Sequence, residues 1–188
     1  MATVREGQRG VLLVVDVQVG VVGEAWDAPR IIGNLARLVE RARAETVPVI
    51  WVQHSADDLP KDSPAWQLVP ELVPAAGEPR VHKRFESSFE ETSLEHELAR
   101  LGATHITLAG AATNWCIRAT AYGALDRGYD VTLVEDGHTT GSLEFSDGVR
   151  IEGAHIVREL NTVFTWLTYP GRKSGTAKAA EVVLGGAA

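Results

Sequence analysis

Any search for chemistry in this chain starts at Cys116, its single cysteine. A lone cysteine forms no internal disulfide and supplies no thiolate cluster for structural zinc or an iron–sulfur centre. It is therefore either a small buried hydrophobe or a reactive thiol. It closes the run Gly110-Ala111-Ala112-Thr113-Asn114-Trp115-Cys116, small residues that follow the apolar stretch His105 to Ala109. This pattern predicts a helix from about Cys116 to Arg127, stopped by Gly128. A thiol in a first helical turn meets unpaired backbone N–H groups and the positive end of the helix dipole, both of which favour a thiolate. The same N–H groups suit the oxyanion of a tetrahedral intermediate, so position argues for reactivity.

A thiol nucleophile needs a proton acceptor. Asp16 ends the apolar run Val11 to Val15, where a carboxylate is costly to bury without a role or a partner. Viewed alone, it reads equally well as a helix cap or a salt-bridged turn residue. Lys83, within Val81-His82-Lys83-Arg84-Phe85-Glu86-Ser87-Ser88-Phe89, follows a short apolar stretch and could bring an ammonium near both groups. A lysine taken by itself is more often a solvated surface residue.

These groups need a scaffold. With 188 residues and 45% hydrophobic content, the chain suits one domain spanning 1–188. Val11 to Val15, Val47 to Val52, His105 to Ala109 and Val131 to Val134 read as strands apolar on both faces, as parallel strands covered by helices must be. Ile31, Leu35, Leu38 and Ala42 mark one helix face. Leu94, Leu98 and Leu101 mark another, opened by a Thr92…Glu95 capping box and closed by Gly102. A further helix is expected from about Asp147 to Leu160, and a last strand at Glu181 to Leu184. The alternation defines a three-layer α/β/α Rossmann-like sandwich with an open, mainly parallel sheet. In such sheets ligands bind beyond the carboxyl ends of the strands, which selects Asp16, His54, the Gly110–Cys116 loop and Asp136. The proline-broken stretch Ser55 to Pro79 is expected to fold over a site or a subunit interface.

Composition excludes other classes. Eighteen basic against 25 acidic residues give a net charge of −7, with no basic stripe interleaved with aromatics, so no nucleic-acid partner is expected. The polar start, Met1 to Gly10, and the short apolar run after it suit neither a signal peptide nor a membrane span. A cytoplasmic protein without a membrane partner is expected. Asp16-Val17-Gln18-Val19-Gly20 carries no phosphate-binding glycine pattern.

Val14-Val15-Asp16-Val17-Gln18, Lys83-Arg84-Phe85-Glu86-Ser87-Ser88-Phe89 with Thr92 and Leu94, and Gly110-Ala111-Ala112-Thr113-Asn114-Trp115-Cys116-Ile117 with Thr120 and Ala121 occur in that order. Together they resemble the isochorismatase-like cysteine hydrolases, the superfamily of nicotinamidases, carbamoylsarcosine amidohydrolases and ureidoacrylate amidohydrolases. The resemblance implies a catalytic triad of Asp16, Lys83 and Cys116, cleaving a C–N bond of a small-molecule substrate through a thioester. It also implies a cis peptide between Ala111 and Ala112 and an oxyanion hole of the Ala112 and Cys116 amides. Asn114 stands where many members carry aspartate, and no aromatic residue follows Asp16-Val17-Gln18.

The resemblance further implies a homodimer or homotetramer. No cofactor is expected. Nor is a metal, because His54-Ser55-Ala56 does not reproduce the Asp-x-His ligand pattern of nicotinamidases. The candidate pocket residues are Gln18, Trp26, His54 and Trp115, with Trp115 a pocket wall or a subunit contact. His82, His96, His105, His138 and His155 read mostly as surface or interface groups. Two alternatives stay open: vinyl ether hydrolysis of the isochorismatase type, which needs no cysteine nucleophile, and a catalytically idle binding or scaffold member of the same fold.

Overall fold

A computed structural model describes residues 2–185. Strands β1 (Arg9–Val15), β2 (Val49–His54), β3 (Arg80–Lys83), β4 (Ala103–Ala111), β5 (Asp130–Thr139) and β8 (Ser174–Ala177) form one sheet in the order β3-β2-β1-β4-β5-β8. All its pairings are parallel. Between β5 and β8 lies a small antiparallel ladder, β6 (Leu143–Glu144) with β7 (Arg150–Ile151).

Each face of the sheet is covered, which is why its strands are apolar throughout. A short helix, α1 (Val19–Val22), follows β1, and α2 (Ala28–Ala44) packs Ile31, Leu35, Leu38 and Ala42 against Leu12, Val14, Val49 and Trp51. On the opposite face lie α3 (Leu94–Arg100), α4 (Arg118–Asp126) and α5 (Gly153–Trp166). Their Leu94, Leu98, Ala121, Leu125, Leu160 and Phe164 pack on Val11, Leu13, Ile106 and Leu133. Each large side chain buried this way stabilises the fold by roughly 1.5–3 kcal/mol.

Three expectations need correction. The last strand is Ser174–Ala177, whose polar residues carry no strand signal; it exists because its backbone pairs with Val131 to Val134 at the sheet edge. Residues 181–184 form no strand, and Val182 and Leu184 instead pack beside α2. The last helix begins at Gly153, not near Asp147, because Asp147-Gly148 is the turn of the β6–β7 ladder. There Gly148 adopts φ +84° and Phe145 N donates to Val149 O at 2.9 Å. No capping box opens α3: Thr92 Oγ1 donates to Ser88 O at 2.6 Å, and Glu95 is drawn away by Arg127.

The Ser55–Pro79 stretch holds no helix or strand, yet it is sewn to the segment after β1. Val19 N donates to Gln67 O, Gly20 N to Ala65 O, and Val69 N to Val17 O. Gly20 permits that approach, since a Cβ there would lie 2.9 Å from Leu59 Cδ1.

Candidate active site

From β1 the chain proceeds outward to β2 and β3, whereas from β4 it proceeds the other way to β5 and β8. The carboxyl ends of β1 and β4 therefore flank the point where strand order reverses, the place a ligand crevice opens in such sheets. Gly110 makes this seam unusually close. It lies opposite Val15 on one side and His138 on the other, at φ +127°, and a Cβ there would fall 1.9 Å from Val15 O. Only glycine tolerates that contact.

Directly beyond the seam, Asp16 turns into the left-handed region at φ 52° and is 1% exposed. Lys83 closes β3, two strands away, and its side chain is fully buried. Cys116 sits in a π-helical turn, Thr113–Ile117, which follows β4 and leads into α4, with Ile117 N donating to Ala112 O at 3.1 Å. The Ala111–Ala112 peptide bond is cis. Such five-residue turns recur where a side chain must be aimed out of a helix.

The three side chains meet. Lys83 Nζ lies 2.7 Å from Asp16 Oδ2 and 3.1 Å from Cys116 Sγ. It also donates to Phe85 O at 3.1 Å and lies 3.3 Å from His54 Nδ1. The contact with Asp16 is an ion pair whose angles fall outside hydrogen-bond geometry: neither Asp16 oxygen has a hydrogen-bond partner among the described residues. Ala112 N–H has none among them either.

Burial raises Asp16 above the ordinary carboxylate range, and Lys83 pulls it part of the way back. Burial and then the Asp16 charge push the Cys116 thiol up to about 12. That corrects the lowered value expected from a helix terminus. The π turn and the short α4 supply less stabilisation of a thiolate than desolvation removes. Burial, with Lys83 second, lowers His54, which therefore faces the ammonium as a neutral ring accepting through Nδ1.

Of the expected pocket residues, His54 and Trp115 line a cavity of about 200 Å³ with Asp16, Val21, Glu86, Ala112 and Cys116. Trp115 stands at its rim, 55% exposed. Gln18 does not reach it. Its side chain is buried, donating to His54 O at 3.0 Å and Trp66 O at 2.8 Å while accepting from His54 N at 2.8 Å, so it clamps the backbone of His54. Trp26 is also elsewhere, with Arg30 over its ring and its backbone tied to Thr139 and Thr140. Asp136 lies within β5 and accepts from Ala179 N at 2.7 Å. Among the described residues no three potential metal ligands cluster.

The sequence gave no warning of a second buried polar group. His138 is fully buried rather than a surface residue: Thr113 Oγ1 lies 2.9 Å from its Nδ1, and Asn161 Oδ1 lies 2.9 Å from its Nε2. Asn161 Nδ2 donates to Glu135 O at 2.9 Å, which fixes Oδ1 as the acceptor. The imidazole proton is therefore on Nε2, and Thr113 donates to Nδ1. Burial drives His138 down to about 4. Its only sequence cue is position, at the end of a strand beside the Cys116 loop.

A parallel α/β sandwich with aspartate, lysine and cysteine converging at the switch point defines a class of protein built around a buried acid–thiol pair. Residues 10–160 match the isochorismatase domain, and the chain belongs to the isochorismatase-like hydrolase superfamily. It is 33% identical over 145 residues to a streptothricin hydrolase of Streptomyces noursei, covering 73% of this chain and 57% of that protein. It is 32% identical over 89 residues to a maleamate amidohydrolase of Pseudomonas putida, covering 46% and 42%. The chain thus spans about half the length of several curated relatives it matches. A crystal structure of an isochorismatase from Pseudomonas putida KT2440 superposes with a TM-score of 0.81 at 28% identity, covering 92% of this chain and 89% of that one.

Proposed function

We propose that this protein hydrolyses a C–N bond, amide or carbamoyl in type, of a small molecule with Cys116 as nucleophile. The observation that carries this reading is the single ammonium, Lys83 Nζ, held 2.7 Å from Asp16 and 3.1 Å from Cys116 inside one cavity. The names of the relatives, a streptothricin hydrolase and a maleamate amidohydrolase, support it.

The resting thiol is protonated, so thiolate formation is coupled to attack. Asp16, whose affinity for a proton is raised by burial, takes the Sγ proton as Sγ bonds to the substrate carbonyl carbon. The carbonyl π electrons move to oxygen, and the N–H groups of Ala112 and Cys116 stabilise that oxyanion. When the C–N bond breaks, Asp16 returns the proton to the leaving nitrogen and an acyl thioester remains. Water then gives a proton to Asp16 and attacks the thioester. The C–S bond breaks, the acid leaves, and Sγ recovers its proton. Lys83 keeps a net positive neighbour beside whichever of Asp16 and Cys116 carries the negative charge.

The test is chemical trapping. Acid quenching during turnover of an amide is expected to give Cys116 with the mass of the acyl group added, and none in Cys116→Ala. Turnover with no adduct on Cys116, even in single-turnover mixing, would remove the nucleophile and leave the acid-catalysed ether cleavage in which a protonated thiol has no covalent role.

A further inference from the structure

The walls of the Cys116 cavity are chemically lopsided. Val21, Ala112 and Trp115 are apolar, and His54 is clamped and neutral. Lys83 is fully buried behind Asp16 and already engaged, so its ammonium is not a free counter-ion. Among the described residues that line the cavity, the remaining charged side chain is Glu86, exposed to solvent. Asp58 adds to the same field, since Glu86 and Asp58 both act on the His54 ring. The cavity also holds a second, independent sign of an occupant: Asp16 lines it, is 1% exposed, and has carboxylate oxygens without a hydrogen-bond partner among the described residues.

A substrate carboxylate placed here would find an apolar wall, a neutral imidazole and a like charge. A substrate cation would find Glu86 at the mouth and a field of one sign that concentrates cations around it. The protein's net charge of −7 acts in the same direction.

We infer that the cavity selects amides whose non-reacting end carries a cation, such as a primary ammonium or guanidinium, and that Glu86 is the residue that reads this charge. The inference deepens the C–N hydrolase reading and rests on the cavity being its substrate site. Glu86 is three residues beyond Lys83, so the segment that supplies the buried ammonium for chemistry also supplies the carboxylate for selection. The two charges do not cancel. One is sealed behind Asp16, and the other faces solvent.

The experiment uses three amides of equal length: 4-aminobutanamide, 4-hydroxybutanamide and succinamate. Their binding to Cys116→Ala is titrated by calorimetry or ligand-observed NMR, and ammonia release by the wild type is measured in parallel. Binding is expected in the order ammonium, hydroxyl, carboxylate, with about fivefold per step, the size of a partly exposed charge contact, shrinking at high salt. Adding Glu86→Gln is expected to compress that order, and Glu86→Lys to reverse it. Equal binding of the three, no binding of the ammonium member, or an order unmoved by both Glu86 variants would overturn the inference. Charge-ordered binding to Cys116→Ala without ammonia release by the wild type would uphold the charge selection and sink the C–N hydrolase reading.

Discussion

Two buried polar groups flank Gly110, and they are built on opposite principles. On the Val15 side, Asp16 and Lys83 are charged, and the Asp16 oxygens are left without hydrogen-bond partners among the described residues. On the His138 side, Thr113, His138 and Asn161 are neutral, and each hands a proton to the next acceptor in one fixed direction. Buried charge is expensive and buried satisfied neutrality is not. The first cluster is tolerated because its unspent hydrogen-bonding capacity is what accepts a proton from the thiol. The second is economical because its task is to hold Thr113, which opens the turn carrying Cys116, in one position.

The contrast breaks most sharply if Lys83 is replaced. Lys83→Met leaves Asp16 buried without its counter-ion, which costs about 3–5 kcal/mol of stability at pH 7 and lowers kcat/KM by about 10³-fold or more. Losing Lys83 removes the leading influence that lowers Asp16, so its folded pKa rises further above the unfolded value. The folded state then holds the proton more tightly, and stability must increase as pH falls toward the raised folded pKa. Denaturant unfolding at pH 5 and pH 7 checks this, and a variant no more stable at the lower pH, relative to wild type, would show that the pair is not held by charge.

The neutral cluster carries the opposite sign. His138 is driven down to about 4 from an ordinary 6.5, so below pH 6.5 the unfolded state binds a proton that the folded state refuses. Stability is lost as pH falls from 6.5 toward 4, by roughly 3 kcal/mol for a shift of that size. His138→Gln should remove that part of the slope. It is checked by subtracting the variant's pH–stability curve from the wild type's, and a parallel pair of curves would contradict the neutral, donor-fixed ring.

The smallest effect sharpens the contrast. Thr113→Val deletes the donor to His138 Nδ1 while keeping shape, so about 1–2 kcal/mol of stability should go. Turnover should fall by about tenfold through kcat with KM little changed, since a positioning contact is lost and a wall is not. Steady-state kinetics separate the two, and a change confined to KM would move Thr113 into substrate contact.

The charged cluster was legible in the sequence because each of its members sits at a strand end or loop whose apolar run is easy to see. Asp16 and Cys116 follow the two most apolar strands, and Lys83 was recoverable through the ordered motif around it. The neutral cluster was not legible. Its partners come from residues 113, 138 and 161, brought together by β4, β5 and α5, and no local pattern links a threonine, a histidine and an asparagine so spaced. The fold behaved alike. Apolar strands and the α2 face could be read off, whereas β8, made of Ser174-Gly175-Thr176-Ala177, exists through backbone pairing that composition does not encode. Asp147-Gly148 was a visible turn signal, overridden by the helical periodicity that in fact begins at Gly153. Gln18 was read as a pocket residue from its place beside Asp16, but its backbone partners turn it inward.

The seam at Gly110 bears on time as well as geometry. Because β4 rests directly on the Val15 backbone, the strand that ends in Asp16 and the strand that leads to Cys116 move as one body, and a fluctuation shifting either carries the other with it. Acid and thiol need no closing segment to bring them together. The slow events of a catalytic cycle are then those of traffic, arrival past Trp115 and departure of the product, with the reactive pair already set before either begins.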